Sequence, residues 1–359
     1  KNQYEWAIDP VIPKLEYNFA EGIALNINGR YSRNIYKNKF KLTLLPFLRY
    51  GLSNTHFNAW ASVELKRNRN LMPDFQISKS VFTFSGGKRV SEFYKQSAID
   101  PLVNSISSLF WGSNYMKTYE NYFANLHYQK TLESSLKYEL NVLYENRLPL
   151  NNSTHFTLRK KDSAHITSNY PVELISTQFS QHQALIISAM VSFKPGQKFI
   201  QFPRYKMPLN SKHPTFSLAY AKGISNIFGS DVNFDKWRFS INDDMNFKLG
   251  GLLKYRVSVG GFINNKAVPV QDYQHFNGNI GVLAGEYVNS LQVAGYYSNS
   301  TITPFYSLAH IEHHFNGLLT NKMTLIKRWM WNLTAGGNGG LLGGKVQRSQ
   351  NKTAIEGGF

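Results

Sequence analysis

Apolar and polar residues alternate with a period of two along most of this chain. In the clearest run, one apolar and one polar series interleave: Trp237, Phe239, Ile241, Met245, Phe247 and Leu249 with Lys236, Arg238, Ser240, Asn242, Asp244, Asn246 and Lys248. Because successive side chains of a β-strand point to opposite faces, the pattern predicts strands with one apolar side. Similar runs occupy 15–30, 40–50, 57–66, 136–145, 185–193 and 253–259.

The length of these runs favours a membrane barrel over a soluble sandwich. Sandwich strands are usually about five or six residues long, whereas a tilted transmembrane strand needs about nine to eleven. The runs also tend to begin and end in Tyr, Trp or Phe, as strands at membrane interfaces do. No stretch of about 18 apolar residues occurs, which argues against a membrane-spanning helix. We therefore predict an all-β fold, one transmembrane antiparallel β-barrel domain over residues 1–359.

The number of strands follows from the number of runs. We place about thirteen or fourteen, and since single-chain bacterial barrels favour even numbers, we expect about 14–16 strands in a complete barrel. The pattern is weaker at 75–87, 280–298 and 353–359. The pair Gly250-Gly251 predicts a tight hairpin between two neighbouring runs.

Three segments interrupt the alternation. Residues 91–116 are predicted to be a helical connection, because Leu102, Ile106, Leu109 and Phe110 follow Asp100-Pro101 at helical spacing. Residues 148–182 and 195–212 are predicted to be long connections rich in polar residues or Pro. If strands are counted from Leu15 and the N-terminus is periplasmic, the first two connections fall on the periplasmic side, where barrels usually have short turns. A miscounted strand, a periplasmic cap and a plug in the lumen would each explain this.

Composition agrees with a barrel and excludes some other classes. Aromatic residues make up 14% and charged residues only 17% of the chain, as expected when half of each strand faces lipid. The absence of Cys excludes a disulfide scaffold and a thiolate metal site. The net charge of +18 is spread along the chain without a nucleic-acid-binding motif, so we expect no nucleic-acid partner. Contact with phosphorylated lipopolysaccharide explains the charge equally well.

The segment His310-Ile311-Glu312-His313-His314 is the main candidate for chemistry. On a strand, His310, Glu312 and His314 share one face, at steps of about 7 Å, which is too far for three ligands of one metal ion. We interpret them as a luminal polar ladder that forms hydrogen bonds to adjacent strands, with a metal or catalytic role as the alternative. His313 points the other way and is a possible interface residue.

Other catalytic patterns find little support. The sequence has no G-x-S-x-G elbow, and the neighbours Asp243 and Asp244 would point to opposite faces of a strand, with Asp244 in the lumen and Asp243 near a rim. The glycines at 336–344 lack the Lys-Ser/Thr of a phosphate loop. We expect no catalytic residue, no metal and no cofactor.

Residues 301–328 resemble a barrel family of the Bacteroidota that is catalogued as a domain of unknown function. The matching residues are His310, Glu312, His313, His314, Phe315, Asn316 and Gly317, followed by Asn321-Lys322. The same family is also similar in three shorter segments, 99–102, 114–115 and 167–171. The similarity as a whole extends from about residue 15 to the end of the chain. The resemblance implies an outer-membrane barrel, distantly like those of the outer-membrane assembly superfamily, that usually follows a carboxypeptidase-regulatory-like domain. It also implies strands beyond Phe359. Since the chain begins at Lys1, we expect a mature or trimmed segment.

The function we predict is that of a non-enzymatic subunit or scaffold in an outer-membrane protein assembly, biogenesis or export complex. Its partners would be outer-membrane lipid, lipopolysaccharide and other outer-membrane or periplasmic proteins. A gated or passive anion-preferring channel is one alternative. An outer-membrane hydrolase that uses the face of His310, Glu312 and His314 is the other.

Overall fold

The computed structural model describes residues 4–36, 39–67, 79–95, 99–132, 134–158, 166–171, 173–174, 177–202, 206–209, 211–278, 290–291, 294–315, 333–343 and 354–358. The strands are β1 (Tyr4–Ile8), β2 (Glu16–Asn18), β3 (Gly22–Ile35), β4 (Phe40–Gly51), β5 (Phe57–Arg67), β6 (Lys79–Glu92), β7 (Thr118–Thr131), β8 (Lys137–Leu148), β9 (His182–Phe193), β10 (Phe199–Gln201), β11 (Lys206–Pro208), β12 (Thr215–Ile224), β13 (Asn233–Asn246), β14 (Leu252–Ala267), β15 (Phe305–His314), β16 (Thr334–Gly343) and β17 (Ala354–Gly358). One α-helix, α1 (Pro101–Trp111), lies between β6 and β7.

Fourteen of these strands form one continuous antiparallel sheet. Their order is β1-β3-β4-β5-β6-β7-β8-β9-β12-β13-β14-β15-β16-β17, while β2 pairs with β3 and β10 pairs with β11 in a separate ribbon. Each strand of the sheet therefore pairs with its neighbours in the chain, as in an up-and-down barrel. The predicted all-β antiparallel barrel of about 14–16 strands is confirmed. Among the described residues no pairing joins β1 to β17, so the sheet is open at this seam.

The two faces of the sheet differ as the alternation predicts. Five apolar side chains stand directly opposite one another across five consecutive strands, and all are exposed on the outer face: Val63, Phe84, Leu126, Val142 and Ile187. The next position along each strand points inward and carries a polar residue in most rows, for example Glu64, Thr83 and His127. A sheet with a polar inner face and an apolar outer face cannot bury its apolar side within one chain.

The first strands differ from the prediction in two ways. The run 15–30 is not one strand, because residues 19–21 form a turn between β2 and β3. The side chain of Asn18 accepts hydrogen bonds from the backbone N–H groups of Ala20 and Glu21, at 2.9 and 2.8 Å, and Gly22 adopts a φ of 69°. An Asx turn followed by a left-handed glycine reverses the chain. In addition, Tyr4–Ile8 forms a strand that the alternation did not indicate.

The extra strand changes which end of the sheet carries the long connections. Tyr4 pairs with Arg33, so β1 begins at the end of the sheet where the hairpin between β3 and β4 lies. The connections 93–117, 149–181 and 268–304 all leave the opposite end. Counting strands from Leu15 places the connections 91–116 and 148–182 on the same side as the N-terminus. That placement is wrong, because it counts one strand too few. The connection 194–214, which contains the β10–β11 ribbon, lies at the N-terminal end.

The weaker patterns have different outcomes. Residues 79–92 and 354–358 are strands, in line with the patterns at 75–87 and 353–359. The pattern at 280–298 lies partly outside the described residues, and its described part consists of turns and one isolated bridge rather than a strand. The predicted hairpin at Gly250-Gly251 is confirmed, since the backbone N–H of Phe247 donates to the carbonyl of Gly251 at 2.8 Å.

Helix α1 confirms the predicted helical insertion but turns an unexpected side toward the protein. The Asp100 carboxylate accepts hydrogen bonds from the N–H groups of Leu102 and Val103, and Gly112 ends the helix with a φ of 69°. The buried residues of α1 are all polar: Asn104, Ser105, Ser107 and Ser108. Two of these side chains satisfy backbone N–H groups, since Ser105 Oγ accepts from the N–H of Tyr17 and Asn104 Oδ1 from those of Tyr115 and Met116. No helix in the described ranges is long and apolar enough to cross a membrane.

Candidate functional site

The connection between β14 and β15 lies against the inner face of the sheet. We call its described residues, 268–278, 290–291 and 294–304, the plug segment. Phe276 packs edge-on against Tyr306 of β15, with ring centroids 5.0 Å apart. Gln274 lines a cavity together with inner-face residues of β8, β9 and β13. The plug segment therefore occupies part of the lumen.

An ion pair with Arg147 joins the plug segment to the wall. Asp272 accepts hydrogen bonds from both ends of the Arg147 guanidinium on β8, at 2.6 Å from Nη1 and 3.0 Å from Nη2. The Nζ of Lys95, which follows β6, lies 3.3 Å from the same carboxylate. Such a two-pronged contact fixes both the distance and the orientation of the carboxylate.

Glu145 extends the ion pair into a network. It lies two residues before Arg147, on the same face of β8, and accepts a hydrogen bond from Arg147 Nε at 2.9 Å. The amide of Asn121 donates to Glu145 at 2.6 Å, and a guanidinium nitrogen of Arg89 at 3.2 Å. Arg147 is 0% exposed and Glu145 1% exposed. Buried charges are stable only when they are paired and hydrogen-bonded, so the members of this network depend on one another.

The surroundings of Asp272 keep it charged. Burial alone would raise the pKa of its carboxyl, but the positive charges of Arg147 and Lys95 outweigh burial and hold that pKa well below its usual range. Its attachment to the wall is therefore preserved throughout the neutral and mildly acidic range.

His275 is held in its neutral form. Its Nε2 lies 2.8 Å from the carbonyl oxygen of Val270, which can only accept, so Nε2 carries the proton. Its Nδ1 lies 2.7 Å from Ser300 Oγ, which then donates. Burial is the main reason that the pKa of His275 falls to about 3, and the charge of Lys236 lowers it further.

Apolar packing joins the three long connections at this end of the sheet. One buried cluster contains residues from all of them: Phe93, Tyr94, Ile99, Met116, Tyr119, Tyr170, Val270, Tyr296 and Tyr297. Tyr119 belongs to β7, and the others come from the connections 93–117 and 149–181 and from the plug segment. The connections therefore form a single packed cap over the ion-pair network.

The sequence-predicted ladder lies elsewhere, on β15. His314 Nε2 lies 2.5 Å from Glu312 Oε1, and His314 Nδ1 lies 3.2 Å from Thr334 Oγ1 on β16. His310 is 2% exposed, and its Nδ1 has no hydrogen-bond partner among the described residues. Within the described ranges, no cluster of three or more His, Asp or Glu side chains is arranged to hold a metal ion. The stabilising role of this ladder stays a prediction.

The remaining candidates lie at the N-terminal end of the sheet. His313 Nε2 lies 2.9 Å from the carbonyl oxygen of Gly250, and its ring packs on Phe247 and Phe315. His313 thus contacts the turn between β13 and β14, and its role as an interface residue stays a prediction. Asp243 is buried 3.5 Å from Lys194, whereas Asp244 is exposed.

Sequence reasoning missed the ion-pair network. Its only local signal is Glu145-x-Arg147, two opposite charges at the spacing of one strand face. Asp272 and His275 lie in a connection without a periodic pattern, and nothing in the sequence relates them to β8, 125 residues away.

We predict that Arg147→Met lowers the free energy of unfolding by about 3–5 kcal/mol, because Asp272 then loses its two-pronged partner while it remains buried. The free energy is measured by urea unfolding of the detergent-folded protein. The double variant Arg147→Met, Asp272→Leu serves as the control and should recover most of the loss, since no unpaired carboxylate remains. Equal losses in the single and double variants would contradict the role of the ion pair.

We predict that His275 makes the stability depend on pH. Its pKa is about 3 in the folded protein against 6.5 when unperturbed, so the unfolded chain binds the proton more strongly. Stability is therefore full above about pH 6.5 and falls by about 1.4 kcal/mol per unit as the pH drops toward the folded pKa. Urea unfolding from pH 7 to pH 4 measures the slope. His275→Gln should remove this component, and an unchanged slope would contradict the prediction.

The model of a family of unknown function, the DUF5686 C-terminal domain, matches residues 1–341. No curated protein matches the chain. Among solved structures, CdiB from Acinetobacter baumannii has 10% sequence identity and a TM-score of 0.42, with 98% of this chain and 51% of CdiB covered. BamA from Haemophilus ducreyi lacking POTRA domains 1–3 has 10% identity and a TM-score of 0.44, with 99% of this chain and 69% of that chain covered.

The present chain spans about half the length of the CdiB chain, and at these TM-scores the two likenesses carry no information about function. The family match is of a different kind, because it extends over most of the sequence. It agrees with the resemblance carried by the His-rich block at 310–317. Since the match covers residues 1–341 of 359, this protein belongs to the DUF5686 family, through its C-terminal domain.

Proposed function

We propose that this protein is an integral outer-membrane barrel that acts as a non-enzymatic subunit or scaffold of an outer-membrane protein assembly, biogenesis or export complex. The exposed apolar belt that includes Phe84, Leu126 and Val142 supports insertion into lipid. The net charge of +18 supports contact with the phosphate groups of lipopolysaccharide.

The observation that carries the subunit role is an exposed apolar surface at the end of the sheet with the long connections. Helix α1 buries its polar side and leaves Leu102, Phe110 and Trp111 at 64%, 46% and 39% exposure. The segment after β8 adds Phe156 at 58% and Leu158 at 55%. We call these five residues the rim surface.

The rim surface is continuous across the two connections, because the N–H of Leu158 donates to the carbonyl of Leu109 in α1 at 2.8 Å. A contiguous apolar surface that is exposed on a folded domain is typical of a contact with another protein. The occupied lumen supports the same proposal, since a barrel that binds partners at its rim does not require an open pore.

An anion-preferring channel is the second candidate. It is favoured by the basic side chains on the inner face, in particular Lys236 and Arg238 on β13 and Arg256 on β14. The plug segment and its ion pair with Arg147 argue against free passage.

Membrane insertion predicts different effects of charge on the two faces of β6. Phe84→Arg should lower the free energy of unfolding by about 2–4 kcal/mol, because the charge then faces lipid near the middle of a strand. Thr83→Arg is the matched control, since this neighbouring side chain points into the lumen, and it should change stability less. Both are measured by urea unfolding of the protein folded into lipid vesicles. Equal effects of the two variants would contradict membrane insertion.

The subunit role predicts stoichiometric recovery of other outer-membrane or periplasmic proteins when the full-length protein is purified from native membranes in mild detergent. Phe110→Asp with Leu158→Asp should abolish this recovery, because two charges disrupt the rim surface. Phe228→Asp is the control, since Phe228 is 78% exposed on the turn between β12 and β13, outside the rim surface.

Mass spectrometry of the purified material measures the recovery. Recovery of the protein alone, together with steady conductance in planar bilayers, would reject the subunit role in favour of the channel. Loss of partners in the Phe228 variant as well would show that the rim surface is not specific.

A further inference from the structure

A cavity of about 310 Å³ lies between the plug segment and the inner face of the sheet. Its wall comes from β7, β8, β9, β12 and β13, and Gln274 of the plug segment closes one side. A second cavity of about 240 Å³ adjoins it. The two are lined in part by the same residues: Asn141, Ser188, Ala221, Lys236 and Gln274. The volume of the first reaches the lower end of the range of small-molecule sites.

The charge of the larger cavity is positive. Lys236 and Arg238 lie two residues apart on β13, so both side chains point to the same face. Lys236 Nζ lies 3.4 Å from the backbone carbonyl oxygen of Asp272 and 3.1 Å from that of Tyr273. These two contacts use two of the three N–H groups of the Lys236 ammonium, and neither carbonyl oxygen neutralises its charge. No hydrogen bond or ion pair of Arg238 is present among the described residues.

The one carboxylate that lines the larger cavity does not balance these charges. Glu139 Oε1 lies 2.5 Å from the Nζ of Lys137, its own partner on β8. In the adjoining cavity, Asp272 is paired with Arg147 and Lys95. The Arg238 guanidinium therefore faces the larger cavity without a carboxylate of its own, and the Lys236 amine lies beside it.

Uncharged hydrogen-bonding groups complete the lining. Asn141 and Ser188 stand opposite each other on β8 and β9, and both line the two cavities. A guanidinium fork next to an ammonium group and an amide matches the several oxygens of a tetrahedral oxyanion better than it matches a monoatomic ion.

We propose that the larger cavity is a binding site for a phosphate-class oxyanion, either free phosphate or the phosphate of a sugar phosphate. Arg238 supplies the charge, Lys236 supplies a further N–H donor, and Asn141, Ser188 and Gln274 supply the neutral hydrogen bonds. Because Gln274 belongs to the plug segment and the other groups to the wall, the bound anion bridges the two. Its binding stabilises the position of the plug segment by mass action. The proposal does not depend on the subunit role.

The test is equilibrium dialysis of the full chain, folded in a detergent without phosphate, against radiolabelled inorganic phosphate at constant ionic strength in chloride. The expected result is saturable binding of about one phosphate per chain. Glucosamine 1-phosphate is the competitor. Competition stronger than that of unlabelled phosphate identifies a sugar phosphate as the ligand, and weaker competition identifies free phosphate. Absence of saturable binding at millimolar phosphate would overturn the proposal.

Variants assign the site to this cavity. Arg238→Gln should weaken phosphate binding by about tenfold or more, and Arg238→Lys, which keeps the charge without the fork, should weaken it less. Arg256→Gln is the matched control, because Arg256 is an inner-face arginine of β14 that does not line the cavity, and it should leave binding within about twofold. Equal losses in the Arg238→Gln and Arg256→Gln variants would show that the luminal charge as a whole attracts the anion, which overturns the assignment.

Discussion

The buried ion pair between Arg147 and Asp272 is the interaction on which the arrangement of the lumen depends. A guanidinium with 0% exposure needs a carboxylate, and the carboxylate lies 125 residues further along the chain in a connection without regular strands. Once the two meet, residues 270–275 are placed beside β8 and β13. The second carboxylate, Glu145, needs Arg89, Lys95 and Arg147 in turn, so β6, β8 and the plug segment are held together by one set of charges.

Other features of this end of the molecule follow from that placement. Val270, Tyr296 and Tyr297 bring the plug segment into the same apolar cluster as residues of the other two long connections. With the lumen occupied, the outward surfaces are what remain available to large partners. The apolar belt of the wall and the rim surface around α1 differ in position, and so they suit different neighbours, lipid for the belt and protein for the rim surface.

The charged side chains on the inner face form two sets, one around Asp272 and one around Arg238. Arg147 and Lys95 are each paired with the carboxylates of Asp272 and Glu145, which attaches the plug segment to the wall. Arg238 has no carboxylate partner among the described residues, and it lines the larger cavity. A barrel whose plug segment is attached to the wall by permanent charges on one side and by a bound anion on the other would have a plug position that responds to its surroundings.

The alternation along the chain by itself determined the fold class, because the side-chain period of a strand is a local property and survives in each run separately. It located β4, β5, β8, β9, β13 and β14, and the Asp100-Pro101 start located α1. The alternation failed where an element is placed by a contact with residues far away in the sequence. It also failed at Asn18, whose side chain closes a turn, because the apolar residues before and after that turn all fall on odd-numbered positions and the period continues unbroken. Only the tertiary structure decided that the polar side of α1 is buried, that residues 268–304 enter the lumen, and that Arg147, rather than His310, is at the centre of the site. Each of these depends on pairing groups far apart in sequence, and charge pairing leaves no periodic trace in the chain.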